Sequence, residues 1–477
     1  MKNNQLLGRS RLLTGLLAVS AICLHFSLFG QVPTSRPAYS FLRWAEDWSA
    51  LEKGIPGDSD SFDAIKYVPL GSSGEFWASF GGDFRVRGED WSGFNFGSPV
   101  GVSHDDSFLL TRFRAHGDFH LPDKARIFAE VKGAYASDRN LPGGVRSIDE
   151  DEFELQQLFF DSEVELRGGD SMRLRVGRQQ FAFGSQRLVS SLPWANSLRT
   201  WDGARLTHNV NDWNVDTFGA MFVPIDSSGL GEGDSDQLLY GIYAKRTGAH
   251  AGGGIELYAL RNEFAGRSFN GTSGVDRRWT LGLRQWAPLG ERMDYEYELS
   301  YQLGDIGNFD VNAWSLASKF GYKLSDDNSL KAWAGFDWAS GDDEFGGDVG
   351  TFNQLYPLGH AYFGIADVIG RQNILDTSFG LAWKPQSKLT LNLAAHSFWS
   401  DSSNDAIYNP GGGVVRAGNV YSSSRIGWEA DLSGRWQIGR HLAVDFGYAH
   451  FFPESAIEQS GPSEEIDFFY LGSVFTY

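Results

Sequence analysis

Arginine recurs at alternate positions in the first half of the chain, as Arg85 and Arg87, Arg112 and Arg114, and Arg173 and Arg175, with Arg205 beyond them. A guanidinium stays protonated, so these side chains cannot serve as nucleophiles or bases. Their planar fork of donors instead grips carboxylates and other anions. A spacing of two places both members of a pair on one face of a β-strand. The chemistry they offer is anion recognition along a wall.

Bond-making chemistry finds less support. A nucleophile and its base must meet within hydrogen-bond reach, yet His396 and Ser397 are adjacent and so point to opposite faces of a strand. The chain has no Gly-x-Ser-x-Gly elbow and no His-Glu-x-x-His metal motif. His116 and His120 would stand roughly 13 Å apart along a strand, too far to share a metal. The oxygen-rich run Asp342-Asp-Glu344 with Asp348 could hold calcium, although solvated loop charge is its ordinary state. The expectation is a protein that is not an enzyme and has no cofactor or resident metal.

Alternating strands must position the arginines. From Leu109 to His120, one face carries Leu109, Thr111, Phe113, Ala115, Gly117 and Phe119, and the other carries Arg112, Arg114, His116, Asp118 and His120. The same period of two predicts strands near 76–90, 107–120, 125–137, 153–167, 171–180, 201–208, 213–223, 237–246, 253–262, 278–287, 293–304, 311–323, 330–340, 373–384, 389–399, 425–437, 441–452 and 466–477. Alternation is poorest at 201–208 and 237–246. No segment after the leader approaches the roughly 18 consecutive apolar residues of a spanning helix. The predicted fold is therefore all-β, a transmembrane antiparallel up-and-down β-barrel of about 18 strands.

The end of the chain fits that fold. Phe469, Leu471, Phe475 and Tyr477 share one parity, so the last strand would show an apolar face and finish on an aromatic. Paired with the strand near Phe76–Asp90, it would close the barrel, with Tyr470, Gly472 and Thr476 facing the lumen. Such a terminus suits insertion by the barrel assembly machinery into outer-membrane lipid.

A basic side chain on the lipid face costs about 2–4 kcal/mol near the bilayer midplane, so parity turns most charges inward. Arg85 and Arg87 with Asp83 and Glu89, Arg112, Arg114, Arg173, Arg175 and Arg205 would form a cationic wall. Later inward positions, Glu296, Glu298, Asp337, Asp376, Glu429, Asp431 and Asp445, are mainly acidic, with Lys319, Lys331 and Arg435 interspersed. Arg178 has the lipid-side parity of Leu174 and Val176, so either the strand bulges at Gly177 or Arg178 sits at the rim.

Composition places the barrel. The apolar run Leu12–Gly30 follows Lys2, Arg9 and Arg11 and reads as a signal peptide over 1–30. Residues 31–74, with a short helical stretch at Phe41–Lys53, would form a periplasmic lead-in to a barrel over 75–477. Without the three leader cations, 38 basic residues face 60 acidic ones, a net charge of −22 that argues against nucleic acid as a partner. The sole cysteine, Cys23, lies in the leader, so thiol chemistry is excluded from the barrel.

Four stretches carry a family resemblance: Lys66-Tyr-Val-Pro-Leu-Gly71; Arg175-Val-Gly-Arg-Gln179 with Phe183-Gly184 and Arg187-Leu-Val189; Trp201-Asp-Gly-Ala-Arg-Leu206; and Phe352-Asn-Gln-Leu-Tyr-Pro-Leu-Gly-His360 with Tyr362-Phe-Gly364 and Ile369-Gly-Arg-Gln-Asn373. Together they resemble the alginate export family of outer-membrane barrels. The resemblance implies a monomeric 18-stranded channel in a Gram-negative outer membrane, with an arginine-lined constriction that passes an anionic polysaccharide or oligosaccharide passively. Within the motifs, Arg175, Arg178, Arg187, Arg205 and Arg371 become candidates for lining the pore or organising its loops. The rival reading is a general or nutrient-uptake porin for small anionic or neutral solutes, and the loops Gly341–Gln372 and Asp401–Ser424, folded inward, would separate the two. The acidic later half of the lumen fits poorly with a pure polyanion conduit.

Overall fold

Alternation becomes closure in the computed structural model, which describes residues 36–71, 74–227, 229–248 and 252–477. The signal peptide expected over 1–30 lies outside the described residues. Six strands open the barrel: β1 (Trp77–Ser92), β2 (Asp106–Leu121), β3 (Ala125–Ala136), β4 (Asp151–Glu165), β5 (Ser171–Gln179) and β6 (Thr200–Val210). They are followed by β7 (Trp213–Val223), β8 (Asp234–Thr247), β9 (Gly254–Phe269), β10 (Thr272–Leu289), β11 (Met293–Ile306) and β12 (Phe309–Lys323). The last six are β13 (Leu330–Ala339), β14 (Ile374–Gln386), β15 (Leu389–Trp399), β16 (Arg425–Gln437), β17 (Leu442–Pro453) and β18 (Ile466–Thr476). Each pairs antiparallel with its sequence neighbour, and β18 returns to β1.

The seam has the expected register, with Glu89 opposite Tyr470, Arg87 opposite Gly472 and Asp83 opposite Thr476. Tyr477 exchanges both backbone hydrogen bonds with Gly82, each 3.0 Å. Parity holds on both sides of it: Phe84, Phe469 and Leu471 are exposed, while Arg85, Arg87 and Tyr470 are buried. Leu471→Arg is expected to lower barrel stability by about 2–4 kcal/mol, because its row meets hydrocarbon. The readout is the temperature at which the folded band is lost on a detergent gel, which should fall for Leu471→Arg and stay put for Leu471→Ile.

Connections differ between the two ends. The lead-in at residues 36–71, the C-terminus and the turns of a few residues, such as 122–124 and 387–388, lie at one end, whereas the stretches 180–199, 340–373 and 400–424 lie at the other. These three long loops fold into the barrel. Phe181, Phe183, Phe352, Tyr356 and Tyr421 pack there against the inward side chains Trp201, Phe218, Leu239 and Tyr258. Where the loops meet it, the inner wall of β6 to β9 is therefore apolar, contrary to the expected polar lumen, which is why alternation is poorest at 201–208 and 237–246.

The lead-in also departs from expectation. Phe41–Lys53 is not one helix but two 3-10 turns, Arg43–Ala45 and Ser49–Glu52. The Glu46 carboxylate accepts the Ser40 N–H at 2.7 Å and Trp48 Nε1–H at 2.9 Å, which folds the chain back on itself. The segment lies inside the barrel mouth, where Leu42 and Trp44 pack against Phe128 and Phe159 of the wall.

Candidate functional site

The inner faces of β1, β2, β17 and β18 line a chamber of about 920 Å³. Arg85, Arg87, Arg112 and Arg114 line one side of it, and the lead-in adds Arg36 and Arg43. Alternation delivers the first four, because each pair sits two residues apart on neighbouring strands, with Arg85 directly opposite Arg112. Pro193, Trp194 and His360, from two of the inward-folded loops, form another boundary.

The four arginines are not equivalent. Arg114 Nε donates to Asp83 at 2.8 Å, and Arg87 pairs with Glu89 at 2.6 Å. Arg85 and Arg112 form no ion pair among the described residues. Arg85 donates instead to the carbonyls of Pro193 (3.2 Å), Trp194 (3.0 Å) and Ala195 (2.9 Å) and to Asn196 Oδ1 (3.1 Å). Arg112 donates to Pro193 O at 3.3 Å and Ala195 O at 3.0 Å. The Nε of each is buried without a partner. Their direct hydrogen-bond partners are thus neutral, and a carboxylate is a stronger acceptor for a guanidinium than a carbonyl.

The remaining arginines correct the expected cationic wall. Arg175 is held by Asp161 through two 2.7 Å bonds and stacks 3.9 Å from the Trp44 ring. Arg173 faces Glu163 at 3.7 Å, and Arg205 is bound by Asp216 at 2.6 and 2.8 Å. None of the three borders the chamber. Arg178 is not pore-lining: it keeps the outward parity at the loop-side end of β5, bound to Asp202 (2.7 and 2.8 Å) and Glu154 (2.8 Å). Gly177 does not bulge, since it stays in register with Phe159, and the irregularity falls between β3 and β4 instead.

Arg187 and Arg371 belong to the loops and organise them. Arg187 reaches Glu296 at 2.6 Å and Glu298 at 2.9 Å on β11, and Arg371 reaches Asp337 at 2.5 Å on β13. With Arg284 of β10 also on Glu296 at 2.9 Å, Glu296, Glu298 and Asp337 of the acidic wall are each paired with an arginine. The two motif stretches that carry Arg187 and Tyr356 pair directly, through a bridge between Val189 and Tyr356.

Trp194 was not singled out in the sequence. Its ring is stacked at 3.5 Å on His360 and at 3.7 Å under Arg87. The available signal was the apolar run Leu192-Pro-Trp194 within a stretch otherwise expected to be polar loop. At the candidate calcium run, Asp342 and Asp348 instead accept backbone N–H groups of Glu344 and Asp310. No carboxylate cluster among the described residues is arranged for a metal.

Asp405 ties the loops together. It accepts from Thr351 Oγ1 (2.6 Å), Ala406 N (2.7 Å), Tyr408 OH (2.8 Å) and Asp342 N (3.0 Å), with no cation beside it. Burial pushes its carboxyl up to about 6. A raised acid stabilises the fold while protonated and loses that contribution as pH rises through its folded value. Proteolysis within 400–424 is therefore expected to quicken between pH 4 and pH 7, and Asp405→Asn should flatten that profile.

Comparison with known proteins agrees with the barrel. A family profile described as alginate export matches residues 76–470. No curated protein matches the chain. OccK3 (OpdO) of Pseudomonas aeruginosa is similar in structure, with a TM-score of 0.53 at 14% identity over 83% of this chain and 95% of that one. The outer membrane protein OpdK of the same organism gives 0.55 at 10% identity, over 84% and 99%. OccK2 (OpdF) of P. aeruginosa, crystallised with glucuronate, gives 0.53 at 10% identity, over 84% and 96%. Identities this low establish a shared barrel architecture.

Proposed function

Because the chain belongs to the alginate export family and is built as a Gram-negative outer-membrane channel, we propose that its solute is an acidic saccharide, moved by passive diffusion. The observation that carries the reading is the pair Arg85 and Arg112, buried at the chamber wall with no carboxylate partner. A uronate carboxylate offers each guanidinium a charged acceptor in exchange for loop carbonyls. Rings of arginine select anions in pores, and conduction needs binding weak enough to release. Arg87, under the Trp194 ring and paired with Glu89, adds a third cation whose hold on a passing carboxylate is moderated. The barrel works as a monomer in outer-membrane lipid, placed there by the barrel assembly machinery.

A second reading, uptake of short uronates, is favoured by the inward-folded loops, which leave less room for a polymer. The glucuronate found in OccK2 (OpdF) supports it by analogy. Planar-bilayer conductance separates the possibilities. Polyuronate is expected to block the open channel in a voltage-dependent way, while a neutral oligosaccharide of equal length does not. Block by monouronate but not by polymer favours uptake, and equal block by neutral and acidic sugars overturns the acidic-saccharide reading.

A further inference from the structure

The chamber has a floor that is not part of the barrel. Residues 36–66 cross its lower side, where Leu42 and Trp44 pack on Phe128 and Phe159, and their polar ties to the wall run mainly from side chains to backbone oxygens. Arg114 donates to Phe41 O at 3.1 Å, Arg126 to Trp44 O at 2.6 Å, and Lys66 Nζ to Phe80 O at 2.9 Å. From the segment itself, Arg43 donates to Tyr477 O at 2.8 Å, across the seam. At the rim, Asp60 meets Arg440 and His441 at 2.9 Å each, and Arg440 also contacts Asp58. Among the described residues, the one strand pairing that joins this part of the chain to the wall is the two-residue pairing of Val68–Pro69 with Trp77 and Ala78.

The segment also covers the cations. The Phe41 ring lies 4.4 Å from the Arg114 guanidinium and 5.8 Å from that of Arg112, and the Trp44 ring lies 3.9 Å from Arg175. Ring faces and carbonyls are neutral partners, weaker for a guanidinium than a carboxylate. Of the rim pairs, Arg440–Asp58 is 36% exposed on both sides and holds loosely, whereas Asp60, 8% exposed, is gripped more firmly.

We propose that residues 36–66 are a displaceable floor, which swings on Val68–Pro69 and uncovers the arginine wall toward the mouth where the C-terminus lies. An anion entering at Arg112 and Arg114 competes for the groups that Phe41 occupies. Solute and floor therefore exchange for one another. This inference rests on the channel reading but not on the solute's identity, so its test uses potassium chloride alone.

The full chain is given Asp58→Cys and Arg440→Cys, a pair bridged by a short bis-methanethiosulfonate that dithiothreitol cleaves. Bridging is expected to lower single-channel conductance several-fold, and cleavage to restore it. A second variant, Phe41→Ala with Trp44→Ala, is expected to spend more time in the high-conductance state without any bridge. Equal conductance before and after cleavage, or an alanine variant that gates as the parent does, overturns the floor. Neither outcome bears on whether uronates block the pore.

Discussion

Replacing Arg85 and Arg112 together by glutamine is expected to lower the anion-over-cation permeability ratio by on the order of a hundredfold. A unit charge about 8 Å from a passing ion, at an effective dielectric near 20, contributes about 2 kcal/mol, and roughly a third of that survives one Debye length of physiological salt. Two such charges give about 1.4 kcal/mol, favourable for an anion and unfavourable for a cation, so the ratio changes by about 2.8 kcal/mol, a factor of about one hundred. The reversal potential in a salt gradient reads this directly. Arg173→Gln with Arg175→Gln serves as the contrast, because Asp161 and Glu163 already neutralise that pair. Selectivity that shifts with the contrast pair and not with Arg85 and Arg112 would contradict the assignment.

Arg187→Met should have the largest effect on structure. It withdraws one guanidinium from both Glu296 and Glu298 and cuts the tether of loop 180–199 to the far wall. Breaking a buried ion pair from one side costs about 3–5 kcal/mol. Arg284 still serves Glu296, which places the loss toward the lower end. The compact form should disappear at a lower temperature on a detergent gel, and conductance should rise as the loop leaves the lumen. A variant equally heat-resistant and equally conducting would show that the tether is idle.

How far the sequence could be read follows from where each side chain meets solvent or lipid. On β1, β2 and β11 one face meets hydrocarbon and the other is charged, and on β18 the inner face carries Tyr470, Gly472 and Thr476, so alternation identified strands, faces and the seam register. On β6 and β8 the inner face turns apolar at Trp201, Leu239 and Tyr243, which meet loop residues such as Phe181 and Phe183, and the signal faded there. The parity of Arg112 and Arg175 is the same, yet only Arg112 lines the chamber. Arg175 is held by Asp161 directly opposite it and covered by the Trp44 ring of the lead-in, and neither neighbour is visible until register and fold are known. The role of Arg187 depends on residues more than a hundred positions away, beyond any local pattern.

The bridge between Val189 and Tyr356 also fixes an order of events. Its halves flank eight consecutive strands, β6 to β13, so the loop core cannot condense until all eight have been laid down. Closing so long a stretch costs chain entropy before any contact repays it. Until then, the apolar inner wall of β6 to β9 has only water or its own neighbours to meet. The lumen is therefore the last part of the molecule to dry, and a chain stalled before β14 presents two greasy surfaces where the finished barrel presents one.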